Sequence, residues 1–346
     1  MARFGFFSAF LAALTLLAAP AAQADAPEHI RIGAVGVPVG GKVVGISIVT
    51  LAQSEKFFDQ AFAGTKTKVD VSYLTGTGPA INEALAQGQV DFGEYGSVPN
   101  VIGVAGGVPA KLISAYRPTG AYYLAVRANA AGINSVKDLR GKRVAVMKGT
   151  NPHFLLVKTI EAAGLTDRDV NIVNLQQSDA QAAFAAGSVD GIFGTSSILL
   201  LRDKGVARII ADTGKSTSIT GNAGGFLVSN AFAQKYPDAT ARIVKALVKA
   251  SWWASQEQNR NALIQHYAET GIPAKYYAEQ LQGPLKPQYS PLIDPQIVRG
   301  YQDTAAFALS HKLIRKIPDF KPWIEPRYLN AALKDLNLQN YWQPQQ

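Results

Sequence analysis

Three stretches of the sequence pair small or hydroxylated residues with proline or a glycine pair at what reads as the beginning of a helix. Asn151-Pro152 precedes the periodic run Leu155, Leu156, Ile160, which Gly164 stops. Gly76-Thr77-Gly78-Pro79 opens a helix that ends at Gly88, and Val37-Pro38-Val39-Gly40-Gly41-Lys42 joins the first expected strand to the first expected helix. Proline in the first turn with Asn, Thr or Gly beside it is a start signal. The first N–H groups of a helix lack intrahelical partners and carry the positive end of its dipole, which contributes about 0.3 to 1 kcal/mol toward an anion and ~2 kcal/mol when partly buried. Three such ends turned to one point could hold a small oxyanion without a buried arginine.

Other chemistries find less support. Gly36 to Lys42 spells G-x-x-x-x-G-K after a strand, but Val43 stands where a phosphate-binding loop needs a Ser or Thr hydroxyl for magnesium. There is no H-E-x-x-H and no G-x-S-x-G, and the four histidines, His29, His153, His266 and His311, are scattered. The absence of cysteine removes disulfides, thiolate metal sites and a cysteine nucleophile. We therefore expect no catalytic residues, no metal and no cofactor. His153 stands apart from the other histidines because it occupies the first turn of a helix aimed at the expected cleft.

These residues need a frame, and a repeat supplies it. Ala84-Leu85-Ala86-Gln87-Gly88-Gln89-Val90-Asp91 returns as Ala183-Phe184-Ala185-Ala186-Gly187-Ser188-Val189-Asp190. Each copy reads as a helix stopped by glycine and followed at once by a buried strand. Strands are expected near 30–35, 69–74, 90–95 and 111–116, with helices near 43–58 and 79–87, and these form one α/β lobe. A second set comprises strands near 122–127, 143–147, 170–175, 189–193 and 207–210 and helices near 152–163, 179–186 and 197–204. From Gly224 a strand and a long helix after Pro237 return to lobe one. The crossings fall near 117–122 and 220–225, rich in the Gly, Pro, Ser and Thr that a hinge needs.

The N-terminus reads as an export signal. Arg3, an apolar run from Phe4 to Ala19, Pro20 and Ala22-Gln23-Ala24 predict a leader over residues 1–24, cleaved before Asp25. No later stretch is long and apolar enough to span a membrane, and no lipidated cysteine is available, so a free protein in a Gram-negative periplasm is expected. The lobes are then 25–118 plus 224–346, and 119–223. At 346 residues and 47% hydrophobic content the chain can fill two cores. Its net charge of +9 suits small anions, whereas the lack of long Lys/Arg runs argues against nucleic acid.

The sequence resembles the alkanesulfonate-, taurine- and nitrate-binding proteins that feed bacterial ABC importers. The resemblance covers most of the chain after the leader and is carried by Gly78-Pro79, Glu83-Ala84-Leu85, Gly88-x-Val90-Asp91-x-Gly93, Asp138-Leu139-x-Gly141-Lys142-x-Val144-Ala145, and Lys148-Gly149-Thr150 with His153. Asp179-Ala180-x-Ala182-Ala183-Phe184, Gly187-x-Val189-Asp190, Phe226-Leu227-Val228 and Phe232-Ala233-x-Lys235-x-Pro237 extend it. It implies a type II periplasmic-binding-protein-like α/β fold, two lobes joined by two hinge strands and closing on one small anion. It also implies delivery of that anion to the membrane permease of an ABC importer. Thr150, Asn151 and His153 match the family's serine-serine-histidine edge, and Thr77-Gly78 its lobe-one helix start.

Two departures bear on the ligand. Thr195-Ser196-Ser197 replaces an aromatic-Asp-Pro sequence of many relatives, and Ser97 stands where alkanesulfonate binders often have aspartate. Glu94 is expected to face outward and Arg117 to lie exposed at a strand end, while Tyr95, Tyr122, Tyr123 and Phe154 are candidate walls. The expected site sets Pro38, Gly40, Gly41, Thr77, Gly78 and Ser97 of lobe one against Thr150, Asn151, His153, Thr195 and Ser196 of lobe two. The expected ligand is a small oxyanion, an organic sulfonate or similar acid, bound by a monomer. The alternatives are an exported lyase or synthase with His153 as general base, and a ligand-sensing subunit.

Overall fold

The structure, a computed structural model, describes residues 26–39, 42–75, 77–117, 121–215 and 223–345. The expected leader, Gly40, Gly41, residues 118–120 of the first expected crossing and residues 220–222 of the second lie outside the described residues. The chain begins with β1 (His29–Val35), the paired strands β2 (Val37–Val39) and β3 (Lys42–Val44), α1 (Ile48–Ser54), α2 (Phe57–Ala61), β4 (Lys68–Leu74) and α3 (Thr77–Ala86). It continues through β5 (Phe92–Gly96), α4 (Ser97–Ala105), β6 (Ala110–Tyr116), β7 (Tyr123–Arg127), β8 (Arg143–Val146), α5 (Asn151–Ala162) and β9 (Asn171–Asn174). Next come α6 (Gln177–Ala185), β10 (Gly191–Gly194), α7 (Ser196–Asp203), β11 (Ala207–Asp212) and β12 (Gly224–Ser229). The rest is helical: α8 (Asn230–Lys235), α9 (Pro237–Ala254), α10 (Arg260–Ala268), α11 (Ala274–Gln280), α12 (Leu285–Gln288), α13 (Pro295–Ser310) and α14 (Arg327–Asp335).

Two five-stranded sheets organise these elements. The first has the order β4-β1-β5-β12-β6 and the second β11-β7-β10-β8-β9. In the first, β12 lies antiparallel between β5 and β6, so the chain leaves this sheet after β6, builds the second, and comes back. The result is a two-lobed α/β protein. Each sheet is covered on both faces, and side chains alternate across it as the pleat requires. Phe226 and Val228 pack with Ile30, Ile32 and α9, while Leu227 between them packs with Tyr95, Leu112 and α13. Leu124 and Val126 likewise face one core of the second sheet, and Tyr123 and Ala125 the other.

The sequence repeat has a physical cause. Gly88 and Gly187 both take left-handed backbone, with φ of 65° and 76°, and each ends a helix where a side chain would be strained. Three residues later Asp91 and Asp190 receive equivalent bonds. The Arg31 N–H donates to Asp91 Oδ2 at 2.8 Å, and the Arg143 N–H donates to Asp190 Oδ2 at 2.8 Å. Each aspartate N–H in turn donates to the carbonyl of the same arginine at 2.8 Å. Helix, glycine, valine and aspartate thus form one device, used once per sheet to fix a new strand beside an older one.

One expectation fails here. Residues 37–39 and 42–44 do not lead into a helix; they pair as the antiparallel strands β2 and β3, with Val39 opposite Lys42. The β-branched residues Val37, Val39, Val43 and Val44 favour that pairing. The first helix starts later, at Ile48, where the Ser47 side chain accepts from the Thr50 N–H at 3.3 Å. Pro38 therefore belongs to a strand and not to a helix start.

Candidate functional site

A cleft of about 270 Å³ opens between the two sheets, at the carboxyl ends of β1, β5, β8, β9 and β10. That is where crossovers in α/β sheets leave room for ligands, because each strand there turns into the start of a helix. The starts of α3, α5, α6 and α7 all reach it, through Thr77-Gly78, Thr150-Asn151-Pro152, Gln176-Gln177-Ser178, and Thr195 with Ser197.

On the first-sheet side Thr77 and Gly78 line the cleft. Thr77 holds φ at 58°, a left-handed conformation costly for a β-branched residue. Its hydroxyl donates to Met147 Sδ at 3.8 Å, which ties α3 to the turn after β8 of the other sheet. Gly78 has no alternative, since a Cβ there would run into the Pro99 ring and crowd Tyr95.

On the other side Thr150, Asn151 and Thr195 line the cleft. The Thr150 hydroxyl is committed to the Met147 carbonyl at 2.5 Å, so its hydrogen is unavailable to an anion. The Asn151 carboxamide is also engaged: Oδ1 accepts from the Val98 N–H at 2.9 Å and Nδ2 donates to the Ala223 carbonyl at 2.8 Å. It is a strut between the lobes. Ser197 accepts from Gln177 Nε2 at 2.9 Å, which leaves its own hydroxyl hydrogen to point elsewhere.

Three expected residues are turned away. Ser97 is fully buried and bonds Thr304 of α13 across 3.0 Å, while its N–H donates to the Ala223 carbonyl. Ser196 is buried against the Tyr277 hydroxyl, and Ser197 takes its expected place in the cleft. His153, 4% exposed, packs edge-on to Phe307 and accepts from the Gly149 N–H at 3.4 Å through Nδ1. Burial first, then the neighbouring His311 and Lys148, push its pKa down to about 4, so it is a neutral core histidine at physiological pH. In each case the side chain follows the far side of its helix onto a packed neighbour. Of Pro38, only the backbone is described, and Gly40 and Gly41 lie outside the described residues.

Glu94 and Arg117 also differ from expectation. Glu94 lines the cleft from β5 at 4% exposure; it does not face outward. Burial pushes its carboxyl up to about 7, against the pull of the Ser47 hydroxyl and the Val49 and Ile48 N–H groups. Arg117 is half-buried and not exposed, with Nη2 2.5 Å from Asp294 Oδ2 and Nη1 2.7 Å from the Ser290 carbonyl. Among the candidate walls Tyr95 and Tyr122 reach the cleft, and Tyr123 and Phe154 belong to the core. Tyr122 stacks on Phe193 with ring centres 5.7 Å apart, which gives the cleft a flat apolar side.

The reading by residue type missed Phe193, Met147, Ser47 and the α6 start at Gln176-Gln177-Ser178. A signal for the last existed in the polar run directly after the expected strand 170–175, in the same relation to its strand as Thr150. No lysine, arginine or histidine occurs among the described lining residues. Chemically the cleft offers neutral hydroxyl, amide and backbone donors, an aromatic wall and one carboxylate.

Residues 48–261 match the family model described as NMT1/THI5 like. A Bacillus subtilis (strain 168) protein named for binding aliphatic sulfonates is 29% identical over 94% of this chain and 96% of its own length. The structure of the periplasmic sulfonate-binding protein SsuA from Methylobacillus flagellatus KT aligns with a TM-score of 0.77 at 30% identity, covering 92% of this chain and 97% of that one. The alkanesulfonate-binding protein SsuA from Xanthomonas axonopodis pv. citri, bound to MOPS, aligns with a TM-score of 0.72 at 27% identity, covering 87% and 99%.

Proposed function

The chain belongs to the NMT1/THI5-like family, and on that premise we propose that it is an exported solute-binding protein that captures a small organic sulfonate and delivers it to an ABC-type permease. The observation that carries this reading is the meeting of four helix starts, those of α3, α5, α6 and α7, on one cleft between two sheets. A sulfonate is a weakly basic oxyanion with three acceptor oxygens, and neutral N–H and O–H donors match it without demanding an arginine. Charge-assisted bonds contribute roughly 1.5 to 3 kcal/mol each, so four or five reach the about −8 kcal/mol of a micromolar complex after ordering costs.

The site comprises Thr77 and Gly78 of lobe one, facing the first turns of α5, α6 and α7 in lobe two. Thr150 and Asn151 shape it from behind, and Thr195, Gln177 and Ser197 line it at the starts of α6 and α7. We take lobe one as 25–118 plus 224–346 and lobe two as 119–223, with export through a leader cleaved before Asp25. The protein then works in the periplasm as a monomer, binding rather than transforming its ligand. The enzyme alternative rested on His153 as general base, and that side chain is buried outside the cleft lining. Calorimetric titration with organosulfonates, followed by analysis of the recovered ligand, tests the reading: stoichiometric heat with intact ligand supports it, and consumption of the ligand rejects it.

A further inference from the structure

Glu94 is the one carboxylate among the described residues lining the cleft, and no described cationic side chain stands beside it there. Its Oε2 accepts from the Val49 N–H at 3.3 Å at the first turn of α1, where the Ser47 hydroxyl and the Ile48 N–H also face it. From β4 Tyr73 approaches the same carboxylate, itself bonded to Thr50 of α1. None of these neighbours is positive, and none titrates between about pH 5 and 8.

An ionised Glu94 opposes a sulfonate that carries no cation of its own. Where Glu94 is ionised, two like charges held close in a partly dry site repel, so a plain sulfonate binds less tightly or takes up a proton as it binds. The charges balance if the ligand brings its own cation. A carboxylate has about four acceptor positions on its two oxygens, so the three donors at the start of α1 leave capacity for one more.

Resting on the sulfonate reading above, we propose that Glu94 is a specificity-determining residue that accepts from a cationic nitrogen, so that the preferred ligands are organosulfonates bearing an amine. The sulfonate is then held at the helix starts of the second sheet, the ammonium meets Glu94 on the first, and the carbon chain between them lies against Tyr122 and Phe193. A ligand of this kind touches both sheets at once, with one charged end on each. It rewards closure of the lobes more than a ligand held by one end.

The test is calorimetric titration of the purified protein and of Glu94→Gln at about pH 8 with two matched pairs, taurine with ethanesulfonate and homotaurine with propanesulfonate. The members of each pair differ by the amine alone. The wild type is expected to prefer an aminated member by about tenfold or more, the scale of one charge-assisted contact, and Glu94→Gln to lose that preference while gaining affinity for the plain sulfonate. Binding of both members with the same ratio in wild type and variant overturns the role of Glu94 and leaves the sulfonate reading standing. Failure of the wild type to bind any of the four overturns that reading and the proposal with it. Should Glu94→Gln not fold, the wild-type ratio measured at about pH 5.5 and about pH 8.5 decides: it is expected to rise with pH as the carboxylate ionises, and a flat ratio overturns the proposal.

Discussion

The Asn151 carboxamide fills the space that a side chain on Gly96 would need, and from there it bonds both the Val98 N–H and the Ala223 carbonyl. Asn151 begins α5 beside the second sheet, Val98 lies in the first turn of α4, and Ala223 leads into β12 of the first sheet. One side chain therefore sets the distance between the two halves next to the point where the chain crosses back. Asn151→Ala leaves the buried Val98 N–H unpaired and takes one of its two bonds from the Ala223 carbonyl, which still accepts from the Ser97 N–H, and is expected to lower stability by roughly 1 to 3 kcal/mol. Gly96→Ala drives a methyl into the same amide and should destabilise as well. Urea denaturation measures both, and unchanged midpoints would remove the strut from the account.

The Arg117–Asp294 pair is the second tie. Asp294 is almost completely buried, and beyond Arg117 it accepts from the Ile297 N–H at 3.1 Å and the Gln345 N–H at 3.0 Å. Removing one partner strands the other charge in the interior, so Arg117→Ala is expected to cost about 3 to 5 kcal/mol. Denaturant unfolding should show this, and the double variant Arg117→Met with Asp294→Asn should recover much of it. A loss in the double variant equal to the single would contradict the ion-pair explanation.

Glu94 and His153 push stability against pH in opposite directions. Glu94 ionises at about 7 when folded and near 4.5 when unfolded, so the folded state holds the extra proton and this group's contribution falls as pH rises through that window. His153 titrates at about 4 when folded and near 6.5 when unfolded, so its contribution is lost as pH falls from about 6.5 toward 4. Their windows overlap, and above about pH 6.5 Glu94 acts alone. The stability difference between Glu94→Gln and wild type is therefore expected to grow in the variant's favour from about pH 5 to 8, by up to roughly 3 kcal/mol. Thermal melts at several pH values measure it, and a constant difference would mean that Glu94 ionises normally.

His153→Phe keeps a flat ring against Phe307 and removes the titrating group. It is expected to leave sulfonate affinity within about twofold of wild type, because the ring does not line the cleft, and to flatten the acid limb of the stability curve. A tenfold loss of affinity would return His153 to the site.

Thr77→Gly separates backbone from side chain at the first-sheet wall. Glycine takes the left-handed conformation without strain, so the variant should gain up to about 1 kcal/mol in stability. The Thr77 hydroxyl and its contact with Met147 are lost, and ligand affinity is expected to fall. Stability and affinity moving in opposite directions is the expected signature, to be read by melting and titration on one preparation.

Local chemistry was legible in the sequence and side-chain direction was not. The glycine stops at Gly88 and Gly187, the strand-fixing Asp91 and Asp190, and the proline-marked helix starts at Thr77 and Asn151 all depend on residues a few positions apart. The misread residues depend on distant ones, and α13 with its flanks supplies most of them. Ser97 bonds Thr304, His153 packs on Phe307, and Arg117 pairs with Asp294 just ahead of that helix. Without knowing that α13 lies behind α4 and α5, a hydroxyl or imidazole in a first turn reads as a ligand donor. Glu94 shows the reverse error, since a glutamate in a strand reads as solvent-facing until Ser47 and the start of α1 are placed over it.

The central claim is that an organosulfonate sits between the lobes on neutral donors at the starts of α5, α6 and α7. A crystal structure of the protein grown with taurine or homotaurine tests it most directly. The account expects density for the sulfonate within hydrogen-bond reach of residues around Thr150, Gln177 and Thr195, with the nitrogen end toward Glu94. An empty cleft at saturating ligand, or a sulfonate held elsewhere by lysine or arginine, would contradict it.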